Sequence, residues 1–133
     1  MACPCFYPTE RLGPARSILP LGDAWAGECR VSGCEPAACE GTRLLKSCNL
    51  GYARGACGRF PLEGPDAVRF SITRRTAAVV SVCCVVEREY LPFSRSTIVY
   101  DADGRRFVVP HPDPTIGQQA LAYVETYLLR TQR

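Results

Sequence analysis

Histidine, lysine and long apolar runs are scarce in this sequence. His111 is the only histidine, and Lys46 is the only lysine among 16 basic residues. The longest apolar run, residues 77–86, has ten residues, about half of the roughly 20 that a membrane-spanning helix needs. The amino terminus has neither a basic nor an apolar segment, so no secretory signal is expected. These absences predict a cytoplasmic protein that has no membrane partner.

Two classes of function have little support in the composition. A net charge of +3 and a pI of about 8.4, with arginines scattered along the chain, argue against nucleic-acid binding. A Cys-dependent enzyme stays open as an alternative, because a thiol and His111 could meet in space. No catalytic signature surrounds any cysteine, however, and His111 lies between two prolines in a predicted exposed loop. We therefore expect a protein that is not an enzyme.

Cysteine is the residue type in excess. Nine cysteines in 133 residues cannot all pair within the chain, because the number is odd. Stable disulfides are not expected in a reducing cytoplasm, so metal ligation is the leading explanation. Neither the two-residue knuckle spacing of zinc sites nor a ferredoxin spacing is present. The nine positions are Cys3, Cys5, Cys29, Cys34, Cys39, Cys48, Cys57, Cys83 and Cys84.

The chain divides into two halves of different composition within one predicted domain, residues 1–133. Residues 1–65 carry seven of the nine cysteines and nine of the eleven glycines, and they show no sustained strand or helix period. Their one helix candidate is a short segment that Thr42 would cap and Gly51 would end. We expect this half to be an irregular, Cys-rich, metal-binding region.

Residues 66–133 indicate an α+β unit in which a four-stranded antiparallel meander, over residues 68–109, is covered by a C-terminal helix. Val68, Phe70 and Ile72 alternate as on one face of a strand. The dipeptide at residues 103–104, Asp-Gly, favours a two-residue type I′ turn between the last two strands.

The final helix is predicted to begin near Pro114, with Asp113 as its cap. Its apolar residues recur at helical spacing and would pack on the sheet. These residues are Ile116, Ala120, Tyr123, Val124, Tyr127 and Leu128.

The stretch CNLGYARGAC, residues 48–57, is the most specific candidate for a cofactor loop. Its glycines allow positive φ and a close backbone approach, so amide groups could point at thiolate sulfurs. Its arginine could add a cationic donor, and its tyrosine could shield one face. The assigned cofactor-binding residues are Gly51, Tyr52, Arg54 and Gly55. The alternative is a glycine-capped helix end whose two cysteines are buried as small hydrophobic residues.

The first half resembles a group of bacterial proteins of uncharacterised activity. The resemblance is carried by ACP at residues 2–4, PLGDAWAGEC at 20–29, CNLGYARGACGRFP at 48–61 and DAVRFSIT at 66–73. It implies that the metal ligands are the cysteines shared with that pattern, which are Cys3, Cys29, Cys48 and Cys57. Cys34 or Cys39 could replace Cys29 in this set.

Cys83 and Cys84 are poor ligand candidates, because adjacent strand residues point to opposite faces and one of them must lie in the core. The sequence therefore predicts a small metal-binding protein in which four cysteines hold an iron–sulfur cluster, with [4Fe–4S] favoured. The alternative is a structural zinc protein, with four cysteine ligands, that acts as a protein-interaction module.

Overall fold

Two antiparallel sheets and one long helix form the part of the chain that the computed structural model describes. The described residues are 1–14, 19–31, 35–41, 44–51, 57, 59–61 and 64–131. The first sheet has the strand order β1-β2-β3 and the second has the order β4-β5-β6-β7. The predicted α+β class is confirmed. No helix in these ranges is both long enough and apolar enough to span a membrane.

The first sheet lies in the half that was predicted to be irregular, and that expectation was wrong. Its strands are β1 Phe6–Gly13, β2 Ala24–Cys29 and β3 Ala37–Ala38. The register of β1 on β2 shifts twice, and such bulges interrupt the alternation by which a strand is recognised in sequence. At Gly27 an added Cβ would lie 2.2 Å from the carbonyl oxygen of Tyr7. The glycine therefore permits a close strand approach that resembles a loop signal in the sequence.

The described part of the predicted short helix includes a π-helix, Leu44–Asn49. The expected cap, Thr42, lies outside the described residues. Gly51 does end the segment, with φ of 74° and its N–H donating to the carbonyl of Ser47 at 2.8 Å. The fully buried Asn49 side chain donates to the carbonyl of Leu44 at 2.7 Å.

The predicted meander of the second half is confirmed. Its strands are β4 Ala67–Arg75, β5 Val79–Arg88, β6 Leu91–Asp101 and β7 Arg106–Phe107, and each pairs antiparallel with the next. Val68 is buried, and Phe70 and Ile72 are half-buried, whereas the residues between them are exposed. The alternation in β4 therefore marks the face that packs in the core.

The turn between the last two strands differs from the prediction. β6 and β7 are joined by four residues, 102–105, and neither Asp103 nor Gly104 has a positive φ, so the turn is not type I′. The Asp101 carboxylate accepts a hydrogen bond from the N–H of Asp103 at 3.1 Å, an Asx interaction that competes with the tighter turn. Two consecutive positive φ values, 52° and 67°, occur instead at Glu89 and Tyr90 between β5 and β6.

The C-terminal helix, Pro114–Thr131, begins where the sequence predicted. The Asp113 carboxylate accepts hydrogen bonds from the N–H groups of Thr115 at 2.9 Å and Ile116 at 3.3 Å, which is the expected cap. Ala120 and Val124 pack in the core of the second sheet, while Ala122 packs in the core of the first. The helix therefore joins the two sheets.

Candidate metal-binding site

Six cysteine side chains line one cavity at the end of the first sheet. Its volume is about 50 Å³, several times the roughly 10–15 Å³ that one water occupies. Strand residues of the first sheet and two residues of the π-helix form its walls. We call it the thiol cavity, and its cysteines are Cys3, Cys5, Cys29, Cys39, Cys48 and Cys57.

These six thiols come from five separate segments of the chain. Cys3 and Cys5 lie just before β1, and Cys29 is the last residue of β2. Cys39 follows β3, Cys48 lies in the π-helix, and Cys57 belongs to the next connection. The structure therefore brings all four predicted ligands to the same cavity. Their convergence depends on the strand pairing of the first sheet. The spacing of the cysteines in the sequence does not predict that pairing.

Cys5 and Cys39 also belong to the cavity, although the sequence did not select Cys5 and named Cys39 only as an alternative to Cys29. The spacing of Cys3 and Cys5 was a usable signal, because residues two positions apart stay close in space whatever the backbone conformation. No comparable local signal identified Cys39. Its place follows from the hydrogen bond of its N–H to the carbonyl of Gly27 at 3.1 Å, which sets the chain beside β2.

Direct interactions between the thiols shift their pKa values in opposite directions. A hydrogen bond with Cys5, followed by burial, raises the pKa of Cys3, and the same hydrogen bond lowers the pKa of Cys5. A hydrogen bond with Cys39, followed by burial, raises the pKa of Cys48. A thiol must lose its proton to bind a metal ion. Metal binding in this cavity would therefore release protons and strengthen as the pH rises.

Arg59 places a cation at the edge of the cavity. Burial raises the pKa of Cys29, while a hydrogen bond and the positive charge of Arg59 oppose that rise. The Arg59 guanidinium also donates to the carbonyl oxygen of Glu35 at 2.9 Å. A cationic donor beside a thiolate stabilises its charge. The sequence assigned this role to Arg54, which lies outside the described residues, as do Tyr52, Gly55 and Cys34.

Gly51 makes its close contact with the amino-terminal backbone. An added Cβ would lie 2.7 Å from the carbonyl oxygen of Met1 and 2.9 Å from the carbonyl carbon of Ala2. The neighbouring Cys3 N–H donates to the carbonyl of Cys48 at 3.1 Å. The glycine thus allows the π-helix to approach the residues just before β1 closely enough for Cys3 and Cys48 to share one cavity.

Two side-chain amides fix the backbone around the thiols. Asn49 accepts from the N–H of Trp25 and donates to its carbonyl, both at 3.1 Å, and so ties the π-helix to β2. Gln119 of the C-terminal helix donates to the carbonyls of Cys3 at 2.6 Å and Phe6 at 2.7 Å. Both amide side chains are fully buried, where a hydrogen bond that is not made is costly.

The remaining sequence candidates lie away from the thiol cavity. Cys84 is buried in the core of the second sheet, and burial raises its pKa to about 12. Cys83, also buried, sits next to it on β5. The half-buried His111 accepts a hydrogen bond from the N–H of Asp113 at its Nδ1, at 2.9 Å. None of these three residues lines the cavity.

Within the described ranges, no three His, Cys, Asp or Glu side chains are positioned to bind one metal ion as they stand. No protein-family model, curated protein or solved structure matches the chain.

Proposed function

We propose that the protein binds a metal cofactor through cysteines of the thiol cavity, and that the cofactor is an iron–sulfur cluster. The observation that carries this proposal is the convergence of six cysteines, from five segments, on one cavity. Cysteines that serve only as small apolar residues have no reason to face one another. Cys84, which packs among valines in the second sheet, shows that simpler use in the same chain.

The ligand set that we propose is Cys3, Cys29, Cys48 and Cys57. Each belongs to a different segment, and a cluster of four irons takes one thiolate at each of four corners. Hydrogen bonds to the sulfurs and a nearby positive charge tune such clusters, and Arg59 reaches Cys29 from the cavity edge. The cofactor could serve a redox, a sensory or a structural role.

Zinc is the second candidate, and the size of the cavity favours it. A single tetrahedral ion with four thiolates is smaller than a cubane, and the cavity encloses only about 50 Å³. In that case the metal would hold the first half of the chain together, and the protein would act as an interaction module for a protein partner.

Anaerobic purification followed by a visible spectrum and analysis for iron, sulfide and zinc tests the proposal. A brown protein with about four irons per chain selects the cluster, whereas a colourless protein with one zinc selects the alternative. The Cys48→Ser and Cys57→Ser variants should lose bound metal. Cys83→Ser is the matched control and should retain it.

Two results would contradict the proposal in different ways. If Cys48→Ser and Cys57→Ser keep all their metal while Cys39→Ser loses it, the ligand set is wrong but the metal site stands. If the wild-type protein binds neither iron nor zinc after anaerobic reconstitution, the cavity does not serve as a metal site.

A further inference from the structure

Cys3 and Cys5 lie on a turn, residues 3–6, whose backbone is fixed at several points. We call it the dithiol turn. The Phe6 N–H donates to the Cys3 carbonyl at 3.0 Å, and the Arg30 N–H donates to the Cys5 carbonyl at 2.8 Å. The buried Gln119 amide also donates to the Cys3 carbonyl, at 2.6 Å. These bonds fix the backbone that carries the two thiols, which are hydrogen-bonded to each other.

Cys5 separates the thiol cavity from an open groove. The groove has a volume of about 640 Å³ and is lined by Cys5, by Arg30, by Asp113 and by several prolines. We call it the proline groove, and its prolines are Pro4, Pro61, Pro65, Pro112 and Pro114. Its volume lies within the roughly 300–1,000 Å³ of small-molecule sites. Cys5 lines both spaces, so a molecule in the groove can touch its sulfur.

The charged groups of the proline groove are already engaged. The Arg30 guanidinium donates to the Glu28 carboxylate at 2.8 Å and lies 3.4 Å above the Tyr7 ring. The Asp113 carboxylate caps the C-terminal helix. The groove therefore offers an apolar surface with no uncommitted charge among these groups, which suits a small uncharged molecule.

The two thiols differ in access. Cys5 is half-buried at the wall of the groove, whereas Cys3 is only 7% exposed and faces the cavity behind it. An accessible cysteine backed by a second thiol within reach is the arrangement in which a mixed disulfide forms and is then resolved. We propose that the dithiol turn carries out thiol–disulfide exchange on small uncharged disulfides, with Cys5 as the nucleophile and Cys3 as the resolving thiol.

The exchange consists of two balanced steps. The Cys5 sulfur attacks one sulfur of the substrate R–S–S–R, a Cys5–S–S–R bond forms, and one R–SH leaves with the proton of Cys5. The Cys3 sulfur then attacks the Cys5 sulfur, and the second R–SH leaves with the proton of Cys3. The substrate gains two electrons, while Cys3 and Cys5 lose two and become a disulfide. An external dithiol such as dithiothreitol reverses the change.

This activity does not require the metal proposed above, although both use Cys3. A metal ion held by Cys3 would remove the resolving thiol, so the metal-loaded protein should accumulate less of the disulfide product. The exchange is therefore tested on the full chain after reduction and removal of metal by a chelator, with the residual metal measured in the same sample.

Tryptic mapping can follow the exchange, because residues 1–11 contain Cys3 and Cys5 and no other cysteine. The probe is dithiodipyridine, an uncharged disulfide whose released thiol absorbs in the near ultraviolet. After a brief reaction and acid quench, we expect this peptide to be the first one modified and to weigh two hydrogen atoms less. In Cys3→Ser the same peptide should retain the probe as a mixed disulfide. In Cys5→Ser its modification should be at least about tenfold slower.

A second peptide, residues 76–88, contains Cys83 and Cys84 and reports on folding. It should stay unmodified in each folded variant, and a variant in which it reacts is replaced by the corresponding Cys→Ala variant. The proposal is overturned if peptide 1–11 of the wild type reacts no sooner than the other cysteine peptides. It is also overturned if the wild type keeps the mixed disulfide, or if Cys5→Ser reacts at the wild-type rate. Because metal content is measured separately, none of these results bears on metal binding.

Discussion

The side-chain amide nitrogen of Gln119 lies 2.6 Å from the carbonyl oxygen of Cys3. The two residues belong to opposite ends of the chain, and the same nitrogen also donates to the carbonyl of Phe6 at 2.7 Å. One fully buried side chain of the C-terminal helix thus holds the turn that positions two of the cavity thiols. The second half of the chain, which carries no cavity cysteine, still determines the geometry of the site.

Replacing Gln119 with leucine should destabilise the protein by about 2–4 kcal/mol, because two buried carbonyl groups lose their donor. Urea unfolding followed by Trp25 fluorescence measures the change. Gln118→Leu is the matched control. It removes one bond to the carbonyl of Pro8, at 3.1 Å in a partly buried position, and should cost about 1 kcal/mol or less. Equal losses in the two variants would contradict the role given to Gln119.

Replacing Gly51 with alanine should destabilise the protein and loosen the thiol cavity. Gly51 has φ of 74°, which costs other residues about 1–2 kcal/mol, and its Cβ would meet the Met1 backbone at 2.7 Å. Gly41 has φ of 61° with nothing within 4 Å of such a Cβ. Gly41→Ala therefore carries the conformational cost alone. The difference in unfolding free energy between the variants measures the contact, and no difference would refute it.

Replacing Asp23 with asparagine should weaken the attachment of the C-terminal helix to the first sheet. The Asp23 side chain is 1% exposed and pairs with Arg11 at 2.5 Å and with Arg130 at 2.6 Å. Loss of its charge leaves both arginines without that partner, and we expect a destabilisation of about 2–4 kcal/mol in urea. Glu28→Gln, which breaks an exposed pair with Arg30, should change stability by less than about 1 kcal/mol. A similar small effect at Asp23 would contradict the prediction.

The buried Cys84 should make the stability of the protein depend on pH in the alkaline range. Burial raises its pKa from 9.0 to about 12 in the folded protein, so folding favours the protonated thiol. Its contribution is fully present below about pH 9 and is lost as the pH rises toward about 12. Urea unfolding at about pH 8 and about pH 10 measures this loss.

Cys84→Ala should be less stable than the wild type at the lower pH, because a buried group is deleted, and should lose less stability between the two pH values. If the wild type and Cys84→Ala lose stability equally, the thiol does not cause the dependence. In the native wild type near neutral pH, Cys84 should also resist alkylation until the chain unfolds.

The sequence by itself determined the second half of the fold. Three local patterns predicted it, namely the alternation of Val68, Phe70 and Ile72, the cap at Asp113 and the helical spacing after Pro114. The structure has strands and a helix at these positions. Local signals failed at the turn after β6. There the Asp101 carboxylate binds the N–H of Asp103 and holds the chain in a wider loop.

Only the tertiary structure decided the first half and its site. Two bulges hide the period of β1, and the close approach at Gly27 places a strand where the sequence resembles a loop. Asn49 ties the π-helix to Trp25 of β2, which is 24 residues distant. Six cysteines meet because sheet pairing and buried amides from distant segments set their positions. Contacts created by such long-range packing cannot be predicted from the spacing of the cysteines along the chain.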